Sequence, residues 1–303
     1  MMPPLRLGTR GSPLALAQAR MVATALRDAQ GWGPELIEII PITTTGDQVR
    51  DRPLSEIGGK GLWTKELDAA LVEGRTDLSV HSMKDVETIR PPDLAIGAML
   101  PRADVRDRLV GAESISDLPE GATVGTSSPR RAAQLLARRP DLRIVPLRGN
   151  VESRLRKVQM GEADATLLAA AGLDRLGHAE VGIPLDDFLP APAQGAVGIE
   201  VRSDDRRTRA FVAAIDDEET HLCVAAERRL LEGLGGTCRS AIAALAVLGG
   251  NGIRLRAEIL TEDGGERESR DIRFAPGDRQ APLDLARHML DRASPRLRAA
   301  FGP

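Results

Sequence analysis

Over the first two-thirds of the chain, short apolar runs alternate with longer stretches whose apolar residues recur every three or four positions. Residues 5–9 read as a strand, and Leu14, Leu16, Ala17, Met21, Val22 and Leu26 then fall at helical spacing across 13–28, which predicts a helix with one apolar face. A strand at 35–42, a helix at 63–73 and strands at 78–81 and 94–99 continue the series. The rhythm restarts with a strand at 122–125, a helix over 129–138 stopped by Pro140, a strand at 143–147 and a helix from Asn150 through Met160. A strand at 165–170 and a short helical run carrying Arg175 complete this half. Strands that alternate with helices predict largely parallel α/β sheets.

Two signatures occur once in each half. Leu5-Arg-Leu-Gly-Thr9 leads into Arg10-Gly11-Ser12-Pro13, and Ala122-Thr-Val-Gly125 leads into Thr126-Ser127-Ser128-Pro129-Arg130-Arg131. In both, the serine is a good N-cap and the proline suits the first helical position, where its missing N–H costs nothing. The pattern helix-Gly-x-x-Asp-strand also recurs, as Gly74-Arg-Thr-Asp77 and Gly161-Glu-Ala-Asp164. A single Ser-Pro says little; paired signatures in matching order predict two related α/β lobes, each offering backbone amides at a helix start to an anion.

Proline-marked joints near 101 and at Pro190-Ala-Pro-Ala-Gln194-Gly195 bracket the second half, and a strand at 196–201 follows. The chain is expected to return there to the first lobe, which gives two crossovers and a hinged cleft. The pattern then changes. A helix at 218–232 precedes strands at 242–248 and 253–260 joined by Gly249-Gly-Asn-Gly252, a strand at 267–274, and an amphipathic helix from about 282 broken at Pro295. The expected division is lobe 1 over 1–100 and 195–216, lobe 2 over 101–194, and a small α+β domain over 217–303.

Composition narrows the function. With 42% hydrophobic and 28% charged residues among 303, the chain is an ordinary globular protein, long enough for several cores. Aromatics make up 2%, without tyrosine, which argues against modules that stack nucleic-acid bases. A net charge of −3 despite 41 Lys and Arg leaves no global basic field, so an anion site must be a local gathering of arginines. The absence of an N-terminal apolar segment and of an apolar run of roughly 20 residues points to the cytoplasm and away from a membrane. His81, His178, His221 and His288 lack ligand spacing, so no metal centre is expected.

Candidate chemistry is local. Lys84 and Asp85 follow the strand at 78–81, where open α/β sheets bind ligands, although a surface ion pair is the commoner fate of such a dipeptide. Lys60 sits among three glycines of Gly58-Gly-Lys-Gly61, a loop that reads either as a lid or as a solvated turn. Cys223 falls in the apolar pattern of a helix and reads as a core thiol. Cys238 follows two glycines and precedes Arg239, a setting that favours thiolate and access, while an inert loop thiol remains the alternative. Arg10, Arg130, Arg131, Arg148, Arg154 and Arg175 stand at strand ends, at helix starts or on short helices. Singly each reads as a surface residue; together they suit a ligand with several carboxylates or phosphates.

In this order the motifs resemble the porphobilinogen deaminase (hydroxymethylbilane synthase) family. The resemblance rests on Thr9-Arg-x-Ser-Pro-Leu-Ala-Leu-x-Gln18, Gly58-Gly-Lys-Gly-Leu62, Val80-His-Ser-Met-Lys-Asp-Val86 and Gly125-Thr-Ser-Ser-x-Arg-Arg131. It continues through Leu147-Arg-Gly-Asn-Val151, Ala170-Ala-Gly-Leu-x-Arg-Leu-Gly177, Gln194-Gly-Ala-Val-Gly-Ile-Glu200 and the loop at Cys238. It implies an α/β fold of two lobes like type-II periplasmic binding proteins, plus the small C-terminal domain.

The activity it implies is a transferase of tetrapyrrole and heme biosynthesis. Four porphobilinogens are condensed head to tail with loss of ammonia on a covalent dipyrromethane primer, and the linear tetrapyrrole hydroxymethylbilane is hydrolysed off. By the same resemblance Cys238 carries the dipyrromethane cofactor through a thioether and Asp85 is the catalytic carboxylate. Lys84, Thr126, Ser127, Ser128, Arg130 and Arg131 hold cofactor carboxylates. Arg10, Ser12, Gln18, Arg148, Arg154, Arg175 and Gln194 serve porphobilinogen and the growing chain, and Lys60 and Trp63 belong to the lid. A monomer without nucleic-acid, membrane or metal partners is implied.

The chain departs from the family pattern at Trp63, Glu87, Pro129, Thr237 and Ala241, none of them a catalytic type. Two rival readings stay open at this stage. One is a two-lobed anion- or solute-binding protein without catalysis, which has no use for Asp85 or Cys238. The other is a cysteine-nucleophile acyl transferase, which needs a base near Cys238.

Overall fold

The computed structural model describes residues 4–48, 63–236 and 240–301; Lys60 and Cys238 lie outside the described residues. In chain order the first elements are β1 (Leu5–Arg10), α1 (Pro13–Gln30), β2 (Ile37–Ile42), α2 (Thr45–Gln48), α3 (Lys65–Val72), β3 (Leu78–Ser82) and β4 (Leu94–Met99). Next come β5 (Asp107–Val110), β6 (Thr123–Gly125), α4 (Pro129–Leu136), β7 (Arg143–Val145), α5 (Val151–Gln159), β8 (Ala165–Ala169), α6 (Ala170–Arg175) and β9 (Ile183–Leu185). The chain ends with β10 (Val197–Arg202), α7 (Arg206–Ala213), α8 (Glu218–Leu234), β11 (Ile242–Gly249), β12 (Gly252–Leu260), β13 (Arg267–Phe274), α9 (Ala281–Arg292) and α10 (Pro295–Ala299).

Two five-stranded sheets share one plan. The first has the order β2-β1-β3-β10-β4 and the second β7-β6-β8-β5-β9. In the first, β1 runs parallel to β2 and β3, and β10 is antiparallel to β3 and β4. In the second, β6 runs parallel to β7 and β8, and β5 is antiparallel to β8 and β9. The one antiparallel insertion in each sheet is thus the strand that follows a crossover. The chain forms two compact units, one of Met1–Ala103 with Ala196–His221 and the other of Asp104–Gly195 with Leu222–Pro303.

Local chemistry explains the helix starts. Ser12 accepts from the Ala15 amide at 3.3 Å with Pro13 at the first helical position, and Ser128 accepts from the Arg131 amide at 3.5 Å with Pro129 in the same place. Asn150 caps α5 by accepting from the Ser153 amide at 2.9 Å. The repeated Gly-x-x-Asp has a matching duty in each sheet. Asp77 accepts from the Arg6 amide at 2.8 Å and Asp164 from the Thr123 amide at 2.7 Å, so the carboxylates tie the entry of β3 to the start of β1 and the entry of β8 to the start of β6.

In the first unit α1 lays Ala19, Val22 and Leu26 on Leu5, Leu7 and Leu78. In the second, Val124, Leu135, Ala165 and Leu167 form the corresponding core. The C-terminal part is an antiparallel meander, β11-β12-β13, whose inner face (Leu255, Ile259) packs with Leu230 of α8, Met289 of α9 and Phe301. Pro295 breaks the last helix as its sequence predicts, with Ser294 capping α10 through the Leu297 amide at 3.0 Å. No helix among the described residues is long and apolar enough to cross a membrane.

The turn between β12 and β13 docks on α4. Gly264 has φ +68°, and a Cβ there would stand 2.4 Å from both the Ala133 carbonyl oxygen and the Ala137 amide nitrogen. Ala133 in turn forms a small buried cluster with Ala241 and Leu260. Gly264→Ala therefore combines a left-handed conformation, about 1–2 kcal/mol for a residue with a Cβ, with a backbone clash. The expected result is a thermal midpoint lower by about 3 °C or more, read by calorimetry; an unchanged midpoint would refute this docking.

Four elements escape the hydrophobic pattern: α2, β5, β9 and α7. Residues 101–107 read from sequence as a polar connection out of the first lobe, yet β5 opens at Asp107, whose side chain is fully buried. Its charge hid the strand. α7 gathers its apolar residues in one run, Ala210, Phe211, Val212 and Ala213, after three arginines, so no helical period shows.

Candidate active site

The C-terminal end of β3 delivers Asp85. The strand passes into a single 3-10 turn, Met83–Asp85, closed by the Val86 amide donating to the Met83 carbonyl at 3.3 Å. Met83 is buried and Asp85 exposed, and among the described residues the Asp85 carboxylate has no hydrogen bond or ion pair. Arg10, Ser12, Gln18, Trp63 and Asp85 line one cavity of about 60 Å³. The Arg10 guanidinium lies 3.9 Å from the centre of the Trp63 ring, a cation–π contact. The Trp63 ring also lies against Gly46, where a Cβ would come within 2.3 Å of it. A wider surface groove of about 920 Å³, lined by Ser203, Arg206, Arg209 and His221, contains none of the expected site residues.

Gln18 is buried, and its amide exchanges hydrogen bonds with the Ser82 hydroxyl at 2.8 and 3.1 Å. It faces the turn that holds Lys84 and Asp85. Behind the turn lies a buried ionic cluster that sequence reading did not find. His81 Nε2 meets Glu200 Oε2 at 3.1 Å, and Arg90 grips both Glu200 oxygens at 2.7 and 3.0 Å. Burial alone would raise the Glu200 carboxyl, but its links to His81 and Arg90 hold it at about 2. Asp68 on α3, 2.5 Å from Arg90, is shifted the other way because burial outweighs that partner. A signal was present: Glu200 is the one charged residue inside the apolar run 196–201, and a lone charge in a buried strand needs a partner.

In the second unit the start of α4 is a cradle of hydroxyls. Thr126 is buried, and its Oγ1 accepts from the Ser128 amide at 3.2 Å. Ser127 is exposed and donates to the Leu147 carbonyl at 3.2 Å. Arg130 and Arg131 turn inward. Asp107 accepts from Arg130 Nη2 at 2.8 Å through Oδ2, and from Arg131 Nη2 at 2.7 Å and Gln194 Nε2 at 2.9 Å through Oδ1. Burial works to raise the Asp107 carboxyl; the two guanidiniums outweigh it and hold it far below the usual carboxylate range. Burial presses Arg130 downward, against the support of Asp107. The Nε atoms of Arg130, Arg131 and Arg175 are buried with no hydrogen-bond partner.

Arg148 follows β7. Arg154 on α5 donates to the Gly149 carbonyl at 3.0 Å, and Arg175 at the end of α6 donates to the Gly195 carbonyl at 2.7 Å. Gln194, expected to face substrate, is buried and joins β5 through Asp107 and the Val105 carbonyl at 2.8 Å. Its neighbour Ala193 has φ +62°, and its amide is held at 2.6 Å by Glu227, which also accepts from the Ala246 amide at 2.7 Å. Glu227 sits inside the amphipathic pattern of α8, and nothing local marked it.

Two family models match the chain. "Porphobilinogen deaminase, dipyromethane cofactor binding domain" covers residues 5–210 and "Porphobilinogen deaminase, C-terminal domain" covers residues 221–291. The porphobilinogen deaminase of Sphingopyxis alaskensis is 54% identical, over 98% of this chain and 96% of its own length. Those of Paracoccus denitrificans and Nitrobacter winogradskyi are 51% and 48% identical, over 96% and 97% of this chain and 95% of each relative. Among solved structures, the ancestral cationic amino acid solute binding protein AncCDT-1 is 17% identical with a TM-score of 0.43, over 70% of this chain and 87% of that one.

Proposed function

Because the chain belongs to the porphobilinogen deaminase family, we propose that Asp85 is its catalytic carboxylate and that Cys238 carries its dipyrromethane cofactor. The activity is that of a transferase: four porphobilinogens are joined head to tail with loss of ammonia, and linear hydroxymethylbilane is released by hydrolysis. A solute-binding protein without catalysis is not favoured by these matches.

One observation carries the assignment of Asp85. It is an exposed carboxylate at the C-terminal end of a parallel strand, in one cavity with Arg10 and Ser12. A carboxylate there accepts a pyrrole N–H and stabilises the positive charge that builds on the porphobilinogen ring as ammonia leaves. An oxygen of Asp85 then takes up the proton displaced when the new carbon–carbon bond forms. Arg10 and Ser12 hold the carboxylates of the incoming porphobilinogen. The Trp63 ring keeps the Arg10 guanidinium in place, and with Lys60 it covers the substrate.

The residues of the second unit suit the cofactor. Each pyrrole brings an acetate and a propionate, which need donors. The α4 cradle offers Ser127 and Ser128, and Arg130 and Arg131 keep orphaned buried Nε atoms while sharing one carboxylate, Asp107. When bound, the cofactor supplies the pyrrole carbon from which the chain grows. Lys84, Thr126, Ser127, Ser128, Arg130 and Arg131 serve it; Arg148, Arg154 and Arg175 neutralise the carboxylates of later rings. Gln18 acts through Ser82, and Gln194 through Asp107. The part beginning near residue 217 serves as the cofactor-attachment domain beside the lobes 1–100 with 195–216 and 101–194, and the protein works as a cytoplasmic monomer.

The test is the intact mass of the denatured protein beside Cys238→Ser. A wild-type excess equal to one dipyrromethane, absent from the variant, is expected. A wild-type protein of unmodified mass that gains nothing on incubation with porphobilinogen would overturn the reading.

A further inference from the structure

We propose that Arg90 is the positioning residue of the Asp85 turn: one guanidinium ties both ends of residues 82–86 to the first sheet. The inference rests on the assignment of Asp85 as the catalytic carboxylate.

Upstream of the turn, His81 on β3 meets Glu200 on β10 at 3.1 Å, and Arg90 holds Glu200 in a two-pronged grip, Nε to Oε1 at 2.7 Å and Nη2 to Oε2 at 3.0 Å. Downstream, Glu87 Oε2 accepts from Arg90 Nη1 at 2.6 Å and from Thr64 Oγ1 at 3.0 Å. Asp68 on α3 accepts from Arg90 Nη2 at 2.5 Å. Four residues before Asp85 the chain is linked to Arg90 through Glu200, and two after it Glu87 bonds the same cation directly. The fastening is well shielded: the Arg90 side chain is 8% exposed and that of Glu200 fully buried.

The turn is also held at its start, where the Gln18 amide bonds the Ser82 hydroxyl at 2.8 and 3.1 Å. The Val86 amide donates to the Met83 carbonyl at 3.3 Å and the Met83 amide to the Ala196 carbonyl at 3.1 Å. The side-chain anchors of the Arg90 cluster on either side add to these in setting where the carboxylate stands. Arginine suits this role because its planar fork reaches several carboxylates at once, whereas a lysine offers one nitrogen. Thr64 extends the tie, since it shares Glu87 with Arg90 and follows Trp63, the residue stacked on Arg10. The Arg90 cluster thus joins the Asp85 turn to the residues placed around substrate without touching substrate.

Misplacement of a reacting group by about 1 Å can cost on the order of 100-fold. Arg90→Met is therefore expected to lower kcat per primer-loaded enzyme by about 10- to 100-fold, loading being counted by intact mass. KM for porphobilinogen should move less than about threefold, because Arg10 and Ser12 are untouched; that split between kcat and KM is what a merely structural role would not produce. Arg90→Lys keeps the charge without the fork and should restore only part of kcat; it also serves as the test if Arg90→Met fails to fold. Asp85→Asn is run in parallel. If Asp85→Asn collapses while Arg90→Met, or folded Arg90→Lys in its place, keeps wild-type kcat per loaded enzyme, the Arg90 inference alone is overturned. If Asp85→Asn turns over normally, both fail.

Discussion

Asp85→Asn is expected to cut the turnover number by roughly 10²- to 10⁴-fold, the range for loss of a positioned acid–base group, with the protein still folded. Substitution removes one charge and changes almost no volume. Because Asp85 is exposed and has no hydrogen bond or ion pair among the described residues, stability should shift by no more than about 0.5 kcal/mol. The amide oxygen still accepts a pyrrole N–H, so porphobilinogen binding should persist. What disappears is the negative charge facing the ring as ammonia departs and the base that takes the displaced proton. Steady-state turnover, normalised to primer content by mass, checks this; near-normal turnover would remove Asp85 from the chemistry. A loss that follows a fall in the thermal midpoint would assign it a structural role.

Much of the scaffold was legible because its signals are local. Ser12-Pro13, Ser128-Pro129 and Asn150 mark helix starts whose capping bonds are present in the structure. The repeated Gly-x-x-Asp correctly announced two sheets of the same plan, and each aspartate performs the same backbone bond in its own sheet. What stayed hidden is non-local. β5 and β10 enter their sheets after crossovers, so the partners of Asp107 and Glu200 lie 23 or more residues away. Sequence placed Arg130 and Arg131 at an anion-binding helix start; it had no means of showing that β5 would bring a carboxylate beneath them. Gln194, implied to serve substrate, bonds Asp107 on the strand that follows a crossover, while Gln18 bonds Ser82 and lines the cavity of Asp85. Side-chain direction is set by the strand that arrives beside it.

The second large effect follows from that carboxylate. Asp107→Asn should destabilise the protein by about 3–5 kcal/mol, the cost of breaking a buried ion pair from one side. Arg130 and Arg131 are 3% and 6% exposed, and the change leaves both cations facing each other with one neutral oxygen between them. For a chain of this size the thermal midpoint should fall by roughly 6–20 °C. The pH dependence has a definite sign. The folded Asp107 carboxyl lies below its unfolded value, so its contribution is present above the unfolded value of about 3.9 and fades as pH drops through the folded one. The gap between wild type and Asp107→Asn should therefore be constant from pH 7.5 to about 5.5 and narrow only below about pH 4. Closure of the gap by pH 5.5 would mean that the pair is weaker than its geometry indicates. Primer loading gives the decisive comparison. If cofactor carboxylates share these guanidiniums, they supply countercharge that the apo variant lacks, and binding that favours the folded state stabilises it. The loaded Asp107→Asn protein should then lose less stability than the apo form, relative to wild type in the same state. Equal losses in both would place Arg130 and Arg131 wholly in the scaffold and leave the cofactor to the hydroxyl cradle of α4.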